Sequence, residues 1–217
     1  MDVAWLSRCR ADVPPGDAWL GGAERATLER LTVAGRRADW RLGRWAAKAA
    51  LAPMLGVQPE RVQILAAADG APEAWLDRAR VAVSLSLSHR DGRALVAVTT
   101  DPGIVGCDLE VIEPRSPAFV REWLTPEGGR LVAGRAGTAN LLWAAKEAAA
   151  KVHRRGLALD PRHAAVTIGR GGAGWRPLRV DWTAQRPAFG WWRAEPGWVM
   201  VIAGSPAPLR PTPSGAG

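Results

Sequence analysis

The stretch GIVGCDLEVIE, residues 103–113, sets two carboxylates, Asp108 and Glu110, among residues suited to a buried strand. Alternation places both acids on one face. Burying them unpaired would cost several kcal/mol or force protonation. A third acid lies on the Ala-rich segment WAAKEAAAKV, where Glu147 precedes Lys151 by four residues and so shares its helical face. Three carboxylates beside an ammonium suit a hard divalent ion such as Mg2+, which takes oxygen ligands and leaves room for substrate phosphates. The other reading is solvent-facing acids paired with nearby Arg, and a solvated Glu147–Lys151 pair.

A polar strand end and a basic helix add to this set. In SLSLSH, Ser86, Ser88 and His89 close a strand just before Asp91-Gly92. Hydroxyls, an imidazole and turn amides can hold a phosphate; an exposed polar strand end is the alternative. A Ser-His hydrolase is not supported. Ser88 and His89 are adjacent in a strand and point to opposite faces, and there is no G-x-S-x-G elbow. Arg36, Arg37, Arg44 and Lys48 lie on or near the first helical region, and Arg37, Arg44 and Lys48 step by seven and four. They form either a solvated face or an anion-binding one.

The elements that must position these residues can be laid out along the chain. Residues 22–51 have helical periodicity with a break near Gly35, Leu28, Leu31, Leu42, Trp45 and Leu51 supplying the apolar stripe. VSLSLSHRDGRALVAVTT alternates and turns at Asp91-Gly92, a hairpin signal, and the acidic strand follows. Thr125 and Pro126 form an N-cap and first helical position. An Ala-rich helix spans about 139–154 and stops before Gly156. HAAVTIG, LRVDW, FGWWRAEPG and WVMVIAG are expected strands, the last two joined at Pro196-Gly197. The tail SPAPLRPTPSGAG has no means of building a core and is expected to be disordered. RWAAKAAL from Arg44 and LWAAKEAA from Leu142 echo one another, and a hairpin follows each. The expectation is therefore an α+β protein of two similar, pseudo-symmetric lobes, residues 1–100 and 101–204, with a cleft between them and a tail at 205–217. In the second copy Glu147 takes the place of Ala49.

Composition bounds the class. The 217 residues are 47% hydrophobic and 23% charged, ordinary globular values. No apolar run nears the roughly 20 residues of a membrane span, and the N-terminal residues lack a signal-peptide layout. Cys9 and Cys107 read as free thiols in a reducing compartment, so a cytoplasmic protein is expected. The net charge is +8, from 26 Arg but only Lys48, Lys146 and Lys151. In so Arg-biased a chain the surviving lysines are informative, because a compact ammonium is not replaced by guanidinium at every site. The basicity suits an anionic partner.

Taken in order, SLSH, GCDLE and WAAKEAAAK resemble the motifs of the 4′-phosphopantetheinyl transferases, in particular the Sfp-like two-lobed group, over roughly residues 22–204. GLALD, after the last motif, fits the same pattern. The resemblance implies transfer of the 4′-phosphopantetheine arm of coenzyme A onto a serine of an apo acyl or peptidyl carrier protein, releasing adenosine 3′,5′-bisphosphate. It implies that Asp108, Glu110 and Glu147 hold Mg2+, or Mn2+, against the pyrophosphate, and that Asp108 also bears on the coenzyme. Glu147 would help deprotonate the serine and Lys151 would neutralise phosphate charge. Lys146 would do the same or serve structurally. Ser88 and His89 would contact the coenzyme A phosphates, with Arg36, Arg37 and Arg44 completing the pocket. One departure is that a Lys often found in a Gly-Lys-Pro segment is Ala71 here, with Arg78 and Arg80 nearby. The implied partners are coenzyme A and a carrier protein, with no nucleic acid and no membrane, for a monomeric enzyme. The competing readings are a Mg2+-dependent nuclease and an Arg/Trp nucleic-acid-binding module, the latter requiring exposed Trp on a basic face.

Overall fold

In the computed structural model, residues 1–132, 137–155, 159–169, 174–183 and 185–215 are described. The first helical region forms two helices, α1 (Gly22–Glu29) and α2 (Ala34–Leu55). The break falls at residues 30–33, and Gly35 sits inside the first turn of α2. Leu42, Ala46, Ala47, Ala50 and Leu51 form the buried stripe of α2, at the three- and four-residue spacing of one helical face. Gly56, at φ +64°, ends the helix, and the Val57 amide donates to the Ala52 carbonyl. A residue without Cβ takes this left-handed position at no steric cost.

That stripe packs on a four-stranded sheet of order β12 (Thr212–Pro213), β1 (Ala4–Cys9), β6 (Arg93–Thr99) and β5 (Ser84–Arg90). The β5–β6 hairpin turns at Asp91 (φ +43°) and Gly92 (φ +75°), the two left-handed residues of the expected tight turn. A small sheet, β2 (Val62–Ala66), β3 (Pro72–Leu76) and β4 (Ala79–Arg80), lies beside it. A five-stranded antiparallel sheet has the order β7 (Ile104–Val111), β11 (Trp198–Ser205), β10 (Ala188–Glu195), β9 (Arg176–Trp182), β8 (Ala164–Ile168).

These elements stack in four layers. Leu6, Leu85, Ala94, Val96 and Val98 of the first sheet meet α2. The opposite face, with Val3, Leu95 and Ala97, meets Val105, Cys107, Leu109, Met200 and Ile202 of the five-stranded sheet. The far face of that sheet, with Val199, Val201 and Ala203, takes the helix α5 (Thr138–Val152) through Ala144, Ala145, Ala148 and Ala149. Between β7 and α5 lie α3 (Pro117–Trp123) and α4 (Pro126–Val132). As expected, the Thr125 hydroxyl caps α4, accepting from the Gly128 amide at 3.1 Å.

The architecture is α+β. Each half runs strand, helices, strands and a final hairpin, and both Trp-Ala-Ala-Lys segments lie on the central helices, but the sheets differ. Five strands form one sheet in the second half, whereas the six of the first divide between two. The tail corrects the expectation of disorder. Leu209, Thr212 and Ser214 donate backbone bonds to the carbonyls of Met1, Val3 and Trp5, and the Ser214 hydroxyl donates to Ala50. The free edge of β1 supplies the backbone partners that a composition-based reading of the tail overlooks. Among the described residues no helix is long and apolar enough to cross a membrane.

Candidate active site

Close approach of α5 to β7 builds the centre of the site. A Cβ on Gly106 would stand 2.0 Å from the Ala148 carbonyl oxygen, so only glycine lets the helix backbone settle on the strand. At this separation Lys151 Nζ donates to the Cys107 carbonyl at 2.8 Å and to Asp108 Oδ1 at 2.9 Å. Ser88 Oγ donates to the same Oδ1 at 2.8 Å. Asp108 is 5% exposed, and its Oδ2 is buried with no hydrogen-bond partner. Glu110, also buried, is held by Arg115 at 2.7 Å, and Arg115 also pairs with Glu113 and lies over the Phe119 ring. Phe119 in turn meets the Trp143 ring edge-on, one helical turn before Glu147.

The opening electrostatic problem is therefore met by cations of the chain itself, and incompletely. Burial and the Asp108 charge push Glu147 above the usual carboxylate range, with Glu110 adding to them and Lys151 opposing. Burial and Asp108 likewise push Glu110 up, against Arg115 and Arg90. Burial works to lower Lys151, but Asp108 and Glu147 outweigh it and hold the ammonium above its ordinary value. Such a set distinguishes two roles: Glu147 is a carboxyl moved toward neutrality, and Lys151 is a fixed positive charge. As the side chains stand, no three His, Cys, Asp or Glu among the described residues converge as a ligand set. Lys151 and Arg115 occupy the acids instead. The unpartnered Asp108 Oδ2 and the mutual repulsion of the three carboxylates fit a further cation.

A cleft of about 740 Å³ opens beside this cluster, lined by both halves of the chain. Lys151 is common to both, whereas the acids do not line the cleft. Arg44, Arg80, Arg154 and Arg155 contribute further positive charge. Arg80 is paired with Glu73, and Arg154 with Asp69, whose carboxyl that guanidinium pulls down to about 2. Arg44 and Arg155 have no carboxylate partner among the described residues, although Arg44 lies 4.7 Å over the Trp40 ring. Ala71 lines the cleft where the related pattern has Lys, and Arg80 and Arg154 share that lining with it.

Other expected site residues are placed differently. Arg37 does not reach the cleft, because its guanidinium donates to the Leu28 and Leu31 carbonyls and closes the end of α1. Arg36 is exposed near the start of α2 and does not line the cleft either. Lys48 is fully buried, ion-paired with Glu24 at 2.7 Å and donating to the Trp19 carbonyl. The face shared by Arg37, Arg44 and Lys48 thus turns largely inward, toward α1 and the loop before it. The signal was Glu24, an acid placed to draw that face in. Lys146 is structural, donating to the Trp123 and Pro161 carbonyls. Ser88 and His89 lie on opposite faces of β5. His89 is exposed beside Gly43, and surrounding protein with Lys151 and Arg44 holds its imidazole below the usual value. Cys107 is a buried packing residue whose thiol burial pushes up to about 11; Cys9 is free and exposed. Every Trp is buried or half-buried. Gly156–Ala158 of GLALD lie outside the described residues.

Residues 104–200 match the family model of the 4′-phosphopantetheinyl transferase superfamily. Over this stretch the chain is similar to that superfamily. A comparison with curated proteins found no match. The superfamily domain begins with the acidic strand and ends within β11, so it contains Asp108, Glu110, Glu147 and Lys151. The chemistry that the superfamily's description names is 4′-phosphopantetheinyl transfer. Arg44 and Ser88, which contact the cleft or the acids, lie before the domain. Sequence reasoning passed over Gly106 as a packing residue, Arg115 as the partner of Glu110, and Arg154 with Asp69. Gly106 and the Arg154–Asp69 pair depend on contacts across the chain and Arg115 on a local fold-back, and only the glycine was visible, inside the GCDLE motif.

Proposed function

We propose that the protein is of the two-lobed group and transfers the 4′-phosphopantetheine arm of coenzyme A to a serine of an apo acyl or peptidyl carrier protein. Adenosine 3′,5′-bisphosphate is the second product. The observation that carries this reading is the buried pair Asp108 and Glu110 with the half-buried Glu147 electrostatically coupled to them, joined by Lys151 to a cationic cleft shared by both halves of the chain. Asp108, Glu110 and Glu147 would hold Mg2+ or Mn2+, which supplies positive charge and Lewis acidity toward a pyrophosphate when bound.

The chain's own groups account for the remaining steps. Arg44 and Arg155 attract the anionic coenzyme into the cleft, and Lys151 meets its pyrophosphate. Ammonium character is required there, and the surroundings of Lys151 preserve it. Glu147, pushed up toward neutrality, accepts the proton of the incoming serine hydroxyl. The serine oxygen forms a bond to the phosphorus bearing the pantetheine arm. The bond from that phosphorus to the bridging oxygen breaks, and the electron pair leaves with adenosine 3′,5′-bisphosphate. Such a transfer asks the protein for position and charge rather than covalent chemistry. A net charge of +8 favours encounter with acidic carriers, and the cleft lies within one chain, as a monomer requires.

Incubation with coenzyme A, Mg2+ and a panel of apo carriers, followed by intact-mass measurement, tests the reading. The expected result is a gain of one phosphopantetheine on at least one carrier, abolished by EDTA. No gain on any fatty-acid, polyketide or peptidyl carrier, with Mg2+-dependent nuclease activity instead, overturns it.

A further inference from the structure

The side of β5 that faces β7 carries a polar residue at every second position, and each one bonds to β7 or the loop after it. Ser84 Oγ accepts from the Val105 amide at 3.0 Å, and Ser86 Oγ accepts from the Cys107 amide at 3.0 Å. Ser88 Oγ donates to Asp108 Oδ1, and Arg90 donates to Glu113 Oε1 at 3.2 Å. The two strands belong to different sheets and share no backbone ladder. These side chains are therefore what fixes β7 lengthwise against β5.

From this geometry we infer that Ser88 is a positioning residue for Asp108. Its hydroxyl and Lys151 hold Oδ1 and leave the buried Oδ2 as the oxygen available to a bound cation. Partial rotation of the carboxylate would swing the second oxygen out of this position, and two donors on the first oppose it. The Ser88 side chain does not line the cleft, so its hydroxyl serves the acid rather than the phosphates of a ligand. The further bonds Arg90–Glu113–Arg115–Glu110 extend the same restraint to the second acid. The superfamily domain starts at residue 104, so the N-terminal half supplies the outer contacts of an acid cluster that the domain alone contains.

This inference rests on the proposed metal site, and the test separates the two. MnCl2 is titrated into the full-length chain and its Ser88→Thr and Ser88→Val variants, with free Mn2+ followed by electron paramagnetic resonance. Thr and Val have nearly the same shape and differ in the hydroxyl, so packing is held constant. Outer contacts to metal ligands are worth about 10- to 100-fold in affinity. Ser88→Thr should bind Mn2+ as the wild type does, and Ser88→Val about tenfold or more weakly. The KM for coenzyme A should stay the same in both. Equal Mn2+ affinity in the Thr and Val variants overturns the role of Ser88 while leaving the metal site standing. A raised KM for coenzyme A with unchanged Mn2+ affinity overturns it in favour of phosphate contact. A wild type that binds no Mn2+, with or without coenzyme A, overturns the metal site and this role together. Should Ser88→Val not fold, Ser88→Ala gives the same comparison.

Discussion

Gly106→Ala is the substitution whose consequence follows most directly from the packing. The new Cβ would stand 2.0 Å from the Ala148 carbonyl oxygen and 3.0 Å from the Val152 nitrogen, both backbone atoms that no rotamer can move. Restoring an ordinary contact of about 3.4 Å requires β7 and α5 to part by about 1.4 Å. A gap of that order forfeits more than half of the dispersion energy between facing atoms. Overpacking typically costs about 1–3 kcal/mol, and a backbone-on-backbone clash places this variant at about 3 kcal/mol or above, a large share of the roughly 5–15 kcal/mol that stabilises a domain. The same displacement draws Lys151 from Cys107 and Asp108, and a shift of about 1 Å at reacting groups can cost about 100-fold in rate. Urea unfolding followed by Trp fluorescence gives the first quantity, and single-turnover transfer on a carrier gives the second. Gly43→Ala is the control. It lies inside α2, and its Cβ would meet Leu87 and His89 side chains at 3.5 and 3.6 Å, ordinary contacts. It should be neutral or gain about 0.5–1 kcal/mol. Wild-type stability in Gly106→Ala would refute the reasoning, as would equal losses in the two variants.

Three further outcomes are expected. Glu24→Gln should destabilise by about 3–5 kcal/mol, because it leaves Lys48 charged and fully buried; Glu24→Gln with Lys48→Met should recover part of that in the same urea assay, and no recovery would exclude the pair as the cause. Burial, opposed by Asp160, lowers Lys146 from its ordinary 10.5 to about 8. Between these values the unfolded chain binds more protons at this residue, so stability rises with pH by on the order of 3 kcal/mol across that window and is flat below it. Lys146→Met should lack this rise, and a wild-type-minus-variant difference that is constant from pH 8 to 10.5 would contradict the assignment; the opposite drift from Cys107 is common to both proteins and cancels. Truncation after Ser205 removes the bonds of the tail to β1 and α2 and should lower the melting temperature by several degrees, about 1 kcal/mol or more; an unchanged melting curve would show the docked tail to be energetically idle.

Much of the framework was legible because its signals are local. Asp91-Gly92 dictates a two-residue turn, Thr125 and Pro126 start a helix, and alternation separates Cys107 from Asp108 wherever the strand lies. The basic helix misled, since spacing shows that Arg37 and Lys48 share a face but not whether that face meets water. Glu24 and the carbonyls ending α1 decided it. The tail misled in the other direction, because a segment without a core of its own can still complete a neighbour's edge.

By itself the sequence singled out the residues proposed to carry the chemistry: Asp108, Glu110, Glu147 and Lys151 follow from residue type and from periods of two and four. Tertiary structure alone decided how their charges are balanced. Lys151 reaches Asp108 because Gly106 lets α5 lie on β7, Ser88 reaches it because two sheet edges meet, and Arg115 folds back on Glu110. Electrostatic energy depends on separation and burial rather than on order along the chain, so no periodicity encodes it.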